Sequence, residues 1–128
     1  MENNFLHLSW EYRHCLELCR QLEEKNCFLH RRMSQLRATP DPCTRAVIPI
    51  LNAQLRQLRD RIWIENNRLS AAAHALDEEI TKLRDEQLMQ ILRCRHLELM
   101  SWNELSDCMG LSPRWLQRLH KRALAQLG

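Results

Sequence analysis

The chain has 128 residues, with 19 Lys or Arg against 16 Asp or Glu and a net charge of +3 when the histidines are neutral. That length holds one ordinary domain, or a small domain with an extended element, and excludes the large enzyme barrels. Only two glycines occur, Gly110 and Gly128, so glycine-rich phosphate loops, dinucleotide fingerprints and tight hairpin turns are excluded too, and an all-α fold is expected.

From Leu8 onward, residues recur every seven positions as Leu8, Cys15, Leu22, Leu29 and Leu36, with Tyr12, Cys19, Asn26 and Met33 four residues after each. This 4-3 spacing predicts a helix packed along its length on another helix. Asn26 in such a seam can fix register by pairing or can look at solvent. A second series, Ile48, Leu55, Ile62, Leu69, Leu76 and Leu83, accompanied by Leu51, Leu58 and Ala72, predicts a helix of about 40 residues, about 60 Å long. Glu65 and Glu79 interrupt it, so its middle is expected to pack less tightly. Between the seams, Pro40 and Pro42 turn the chain. Thr44 is the expected N-cap of the second helix, with Pro49 near its first turn. A long antiparallel helical hairpin over residues 1–85 is the simplest product, although the same seams can be satisfied between two chains as a homo-oligomer.

From Ser101 the pattern shortens. Ser101 with Glu104 is a capping box for a helix Trp102–Met109, Gly110 supplies a left-handed stop, and Ser112-Pro113 opens a second helix toward Leu127. A short helix, a glycine turn and a second helix make a helix-turn-helix, placed here in a domain of residues 86–128. At about 100° per residue, Ser112, Leu116, Leu119, Ala123 and Leu127 share the inner face. Arg114, Gln117, Arg118 and Lys121 lie opposite. Arginine forks onto guanine, glutamine onto adenine, and lysine serves guanine or phosphate, so this face suits the major groove of double-stranded DNA. No acidic residue follows Asp107, and Arg122 adds to the basic charge. The backbone N–H groups at Ser112, and its hydroxyl if capping leaves it free, can meet a phosphate.

The stretch ILRCRHLELMSWNELSDCMGLSPRWLQRLHKRAL resembles region 4 of the bacterial sigma-70 factors, with an Arg-rich first helix, a Ser-Trp-x-Glu-Leu scaffold helix and a Gly-Leu-Ser opening of the recognition helix. Its closing Arg-Leu-His-x-x-Ala-Leu, Arg118 to Leu124, is similar to small phage and prophage regulators of the ArpU and RinA types. The resemblance covers about a third of the chain. It implies promoter DNA contacts from Arg114, Gln117, Arg118 and Lys121, and a contact with RNA polymerase. Leu99-Met100 departs from the pattern, in which glycine often precedes the scaffold helix, so that turn is made differently or Leu99 extends a helix over Leu83–Leu97.

Other residues carry less. No Cys-x-x-Cys pair occurs, and Cys15, Cys19, Cys27, Cys43, Cys94 and Cys108 read as small apolar packers. Cys15 and Cys19 with His14 are too few to hold zinc. His120 falls on the buried side of the last helix, and Trp115 is expected to pack over Leu111 and Leu119 or to rest on a sugar. No nucleophile, base and oxyanion set occurs, so neither an enzyme nor a cofactor is expected. No apolar run approaches the ~20 residues of a membrane span, and the opening MENNFLHLSWEYRH has no basic-then-apolar leader, so a cytoplasmic location without membrane contact is expected.

The expected function is that of a phage-type, sequence-specific DNA-binding transcriptional regulator. Two alternatives stand beside it: a coiled-coil adaptor or polymerase-binding factor that does not read DNA, and a DNA-recognition subunit of a phage packaging machine. In the latter the DNA-binding module commonly comes first, the reverse of the order here.

Overall fold

The computed structural model describes residues 4–39 and 41–128, and these are helical with no strand among them. Helix α1 runs Asn4–Ala38. It contains neither glycine nor proline and is rich in Leu, Arg and Glu, residues that lose little on entering a helix. Pro40, one of the two expected chain-turning prolines, lies outside the described residues. The short α2, Pro42–Arg45, is capped by Asp41, whose carboxylate accepts from the Cys43 N–H at 3.0 Å. Thr44 is therefore not the cap of the long second helix. It sits inside α2 and donates its hydroxyl to Asp41 at 3.3 Å, the acidic residue three places before it having taken the capping role.

Helix α3 covers Ile48–Ile80, 33 residues, with Pro49 at its second position. It is shorter than the leucine series suggested. Leu83 stays buried but lies past the helix end, in a turn closed by the Leu83 N–H on the Ile80 carbonyl at 3.1 Å. Asp85 then caps α4, Glu86–Leu92, accepting from the N–H groups of Gln87 and Leu88. The expected helix over Leu83–Leu97 thus begins three residues later. It continues as a π-helical turn, Arg93–Leu97, whose wider ring is closed by the Glu98 N–H on the Arg93 carbonyl at 3.0 Å. Helices α5, Trp102–Met109, and α6, Pro113–Leu127, follow.

By compactness the chain divides into His14–Leu69 and a second unit made of Met1–Arg13 with Ser70–Gly128. This differs from a boundary at residue 85. The reason is visible in the second unit's core, where Phe5 of α1 and Leu76 and Ile80 of α3 are buried in one cluster with Leu88, Ile91 and Leu105.

In the unit His14–Leu69, Leu22, Leu29 and Met33 of α1 share a core with Leu51, Leu55 and Leu58 of α3. Asn26 is half-buried. Between Leu58 and Leu76 no apolar residue of α3 is buried, and the one buried side chain there is Glu65, whose carboxylate accepts from Arg68 at 3.0 Å. That agrees with a seam loosened at Glu65. The cysteines divide: Cys19 and Cys94 are buried and Cys15 half-buried, whereas Cys27, Cys43 and Cys108 are exposed and are not core packers. Burial pushes the Cys19 and Cys94 thiols up from their ordinary range.

No helix among the described residues is long and apolar enough to cross a membrane.

Candidate nucleic-acid interface

The geometry starts from two caps and a turn. The Glu104 N–H donates to the Ser101 Oγ at 3.1 Å while the Glu104 carboxylate accepts from the Ser101 N–H at 3.4 Å, so the capping box is complete. Helix α5 ends at Gly110, which adopts φ 71°, with its N–H on the Ser106 carbonyl at 2.9 Å. The Ser106 hydroxyl donates to the Leu111 carbonyl at 2.6 Å and ties the turn back onto α5. Ser112 then caps α6 with Pro113 in its first position. Local chemistry alone thus dictates where α5 stops and where α6 starts.

Packing fixes which face of α6 is outward. Leu116, Leu119 and Ala123 are buried with Leu105 of α5 and Leu88, Ile91 and Leu92 of α4. Ser112, Arg114, Gln117, Arg118, Lys121 and Arg122 are all exposed. None of the four cations forms an ion pair among the described residues, so their charge faces solvent uncompensated.

The start of α6 offers less to an anion than its position suggests. The Trp115 N–H is spent on the Ser112 Oγ at 3.2 Å, the Leu116 N–H on the Ser112 carbonyl at 3.0 Å, and Pro113 has none. What remains is the Arg114 N–H and the Ser112 hydroxyl hydrogen.

Beneath α6 lies a polar arrangement that sequence reasoning did not find. His120 meets His96 of the π-helical turn, Nε2 to Nε2 at 2.8 Å, and the rings stack at 5.1 Å. His96 Nδ1 is 2.7 Å from the Ser9 Oγ. Phe5 stands edge-on to His96, Trp102 edge-on to His120, and the Arg95 guanidinium lies 4.7 Å from the Trp102 ring. Two imidazoles sharing one Nε2–Nε2 contact need one donor and one acceptor, so the accepting ring is neutral there and the two cannot both be charged. Burial, and then the positive charges of His120, Arg95 and Arg13, push His96 down to about 3; burial and then Arg95 lower His120. His120 on the inner side of α6 agrees with its helical position. Nothing in the spacing of Ser9, His96 and His120 announces their meeting, since it depends on α1 arriving from 87 residues away.

Trp115 is placed differently from expectation. The residue is 45 % exposed rather than folded over the core, because its position lies on the edge of the buried stripe, which Leu116, Leu119 and Ala123 already fill. Leu99 explains the missing glycine before α5. It takes the left-handed conformation itself, at φ 56°, and the turn closes through the Met100 N–H on the Cys94 carbonyl and Arg95 Nη1 on the Met100 carbonyl, at 3.0 and 2.7 Å.

Among the described residues no three His, Cys, Asp or Glu side chains gather as a metal site. Comparison with known proteins finds no matching family model, no matching curated protein and no matching solved structure.

Proposed function

We propose that this chain is a sequence-specific, DNA-binding transcriptional regulator of phage or prophage type, in which a long helical hairpin precedes a helix-turn-helix and α6 reads the major groove. The observation that carries the reading is the outward face of α6, where Arg114, Arg118, Lys121 and Arg122 are exposed without ion-pair partners on a helix whose opposite face is buried. The capped α5, the left-handed Gly110 and the Ser112-Pro113 start support it, since this turn is how two helices are held for groove entry. The sigma region 4 resemblance supports the same assignment and adds RNA polymerase as a second partner.

Arg114, Gln117 and Arg118 are assigned to base edges, Lys121 and Arg122 to phosphates, and Ser112 to the phosphate beside the helix start. One such helix binds weakly, and self-association through residues 14–69 would set two of them on half-sites roughly 34 Å apart. The test is titration of the full chain with duplex DNA at several salt concentrations. Binding should weaken steeply with salt, and Lys121→Ala with Arg122→Ala should reduce the slope of log K against log salt by about 2. Salt-independent binding, or none at low salt, overturns the reading.

A coiled-coil adaptor that docks on protein is the second reading. It is favoured by Phe28, Ile50, Trp63 and Ile64 of the unit His14–Leu69, which are large, apolar and exposed.

A further inference from the structure

Trp115 is a large aromatic residue left nearly half in solvent at the edge of the buried stripe of α6. Its setting is specific. It stands in the first turn of α6, the part of a recognition helix that reaches base edges, and its own N–H is held by the Ser112 cap, which ties its backbone to the helix start. At 3.6 residues per turn its side chain leaves the helix about 20° from Arg122 and about 60° from Arg118. An indole flanked by two unpaired guanidinium groups, on a stretch with no acidic residue, is complementary to a polyanion that also presents apolar groups.

Duplex DNA has one such group in the major groove, the 5-methyl of thymine, which protein reads by apolar contact. We propose that Trp115 is a specificity-determining residue that packs its ring on a thymine methyl beside the base pairs read by Arg114 and Arg118. This rests on the DNA-binding reading above and adds to it the identity of one base. The indole N–H is a donor only, and the hydrogen-bond code of the groove is left to Arg114, Gln117 and Arg118. Removing one methyl from an apolar contact weakens binding about fourfold, so the contact is measurable without altering the protein.

The experiment uses the full chain and a duplex selected from random sequence. Each thymine is replaced in turn by uracil, which lacks only the methyl and pairs identically, and binding is measured by fluorescence anisotropy. At one thymine the replacement should weaken binding about fourfold. In Trp115→Ala and Trp115→Gln, both checked for helicity by circular dichroism, thymine and uracil at that position should bind alike, whereas the salt dependence due to Lys121 and Arg122 should remain. Selection of a site lacking thymine, equal binding of every uracil duplex by the unaltered chain, or a methyl effect that persists without Trp115 overturns the assignment while leaving DNA binding intact. Failure to select or retain any duplex overturns both, and is told apart by that absence of binding.

Discussion

Gly110 turns the chain at φ 71°, and a Cβ built there would meet nothing within 4 Å. The requirement for glycine is therefore one of backbone conformation, not of room. Gly110→Ala is expected to lower the unfolding free energy by about 1 kcal/mol and Gly110→Asn by less, because asparagine tolerates left-handed geometry; denaturant unfolding checks both. Leu99 is the converse case. A leucine at φ 56° carries about 1–2 kcal/mol of strain, and Leu99→Gly is expected to raise Tm, a lowered value showing that the half-exposed leucine packs more than it strains. The histidine pair sets a third expectation. His96 is held down at about 3 and His120 is lowered, whereas in the unfolded chain both accept protons near 6.5. The unfolded state then binds more protons through this window, so the stability contribution is complete above about pH 6.5 and is lost as pH falls toward 3, on the order of a few kcal/mol. Among the described residues no carboxylate is hydrogen-bonded to either ring; the neighbouring charges are Arg95 and Arg13. His96→Gln should flatten the fall in unfolding free energy between pH 7 and pH 4.5, and an unchanged profile would place the acid sensitivity elsewhere.

Among the elements, α5 and α6 were legible in the sequence because their ends are written in neighbouring residues: Ser101 with Glu104, Gly110, and Ser112 with Pro113. Loss of one such cap, as in Ser112→Ala, is expected to cost about 1 kcal/mol. The buried stripe of α6 was equally legible, since Leu116, Leu119 and Ala123 repeat at helical spacing. The π-helical turn was not. One extra residue per ring leaves no mark in composition, and its register is set by distant partners such as the Tyr12 hydroxyl on the Leu97 carbonyl at 3.1 Å and Arg93 Nε on the Asp77 carboxylate at 2.9 Å. Thr44 misled because Asp41, a better acceptor for a helix start, stands just before Pro42. The left-handed Leu99 is not legible because leucine seldom adopts such a φ, and the bonds that close its turn, from Met100 to Cys94 and from Arg95 to Met100, carry no sequence signature of their own.

For the whole molecule, heptad spacing in α1 and α3 conveys that the two helices share a core but not which stretch belongs to which compact unit. The beginning of α1 and the end of α3 are buried with α4, α5 and α6 because Phe5, Leu76 and Ile80 sit in that cluster. A charge placed in the other core, Leu22→Asp beside Leu29, Leu55 and Leu58, is expected to cost more than about 3 kcal/mol and to show as lost helicity and altered sedimentation. The central claim concerns the outward side of α6. Its most direct measurement compares the full chain with the Arg114→Ala, Arg118→Ala double variant for the ratio of affinity between a selected duplex and a scrambled one. The unaltered chain should prefer the selected duplex strongly, and the variant should bind both about equally with helicity and sedimentation unchanged; a preference that survives the double substitution would contradict it.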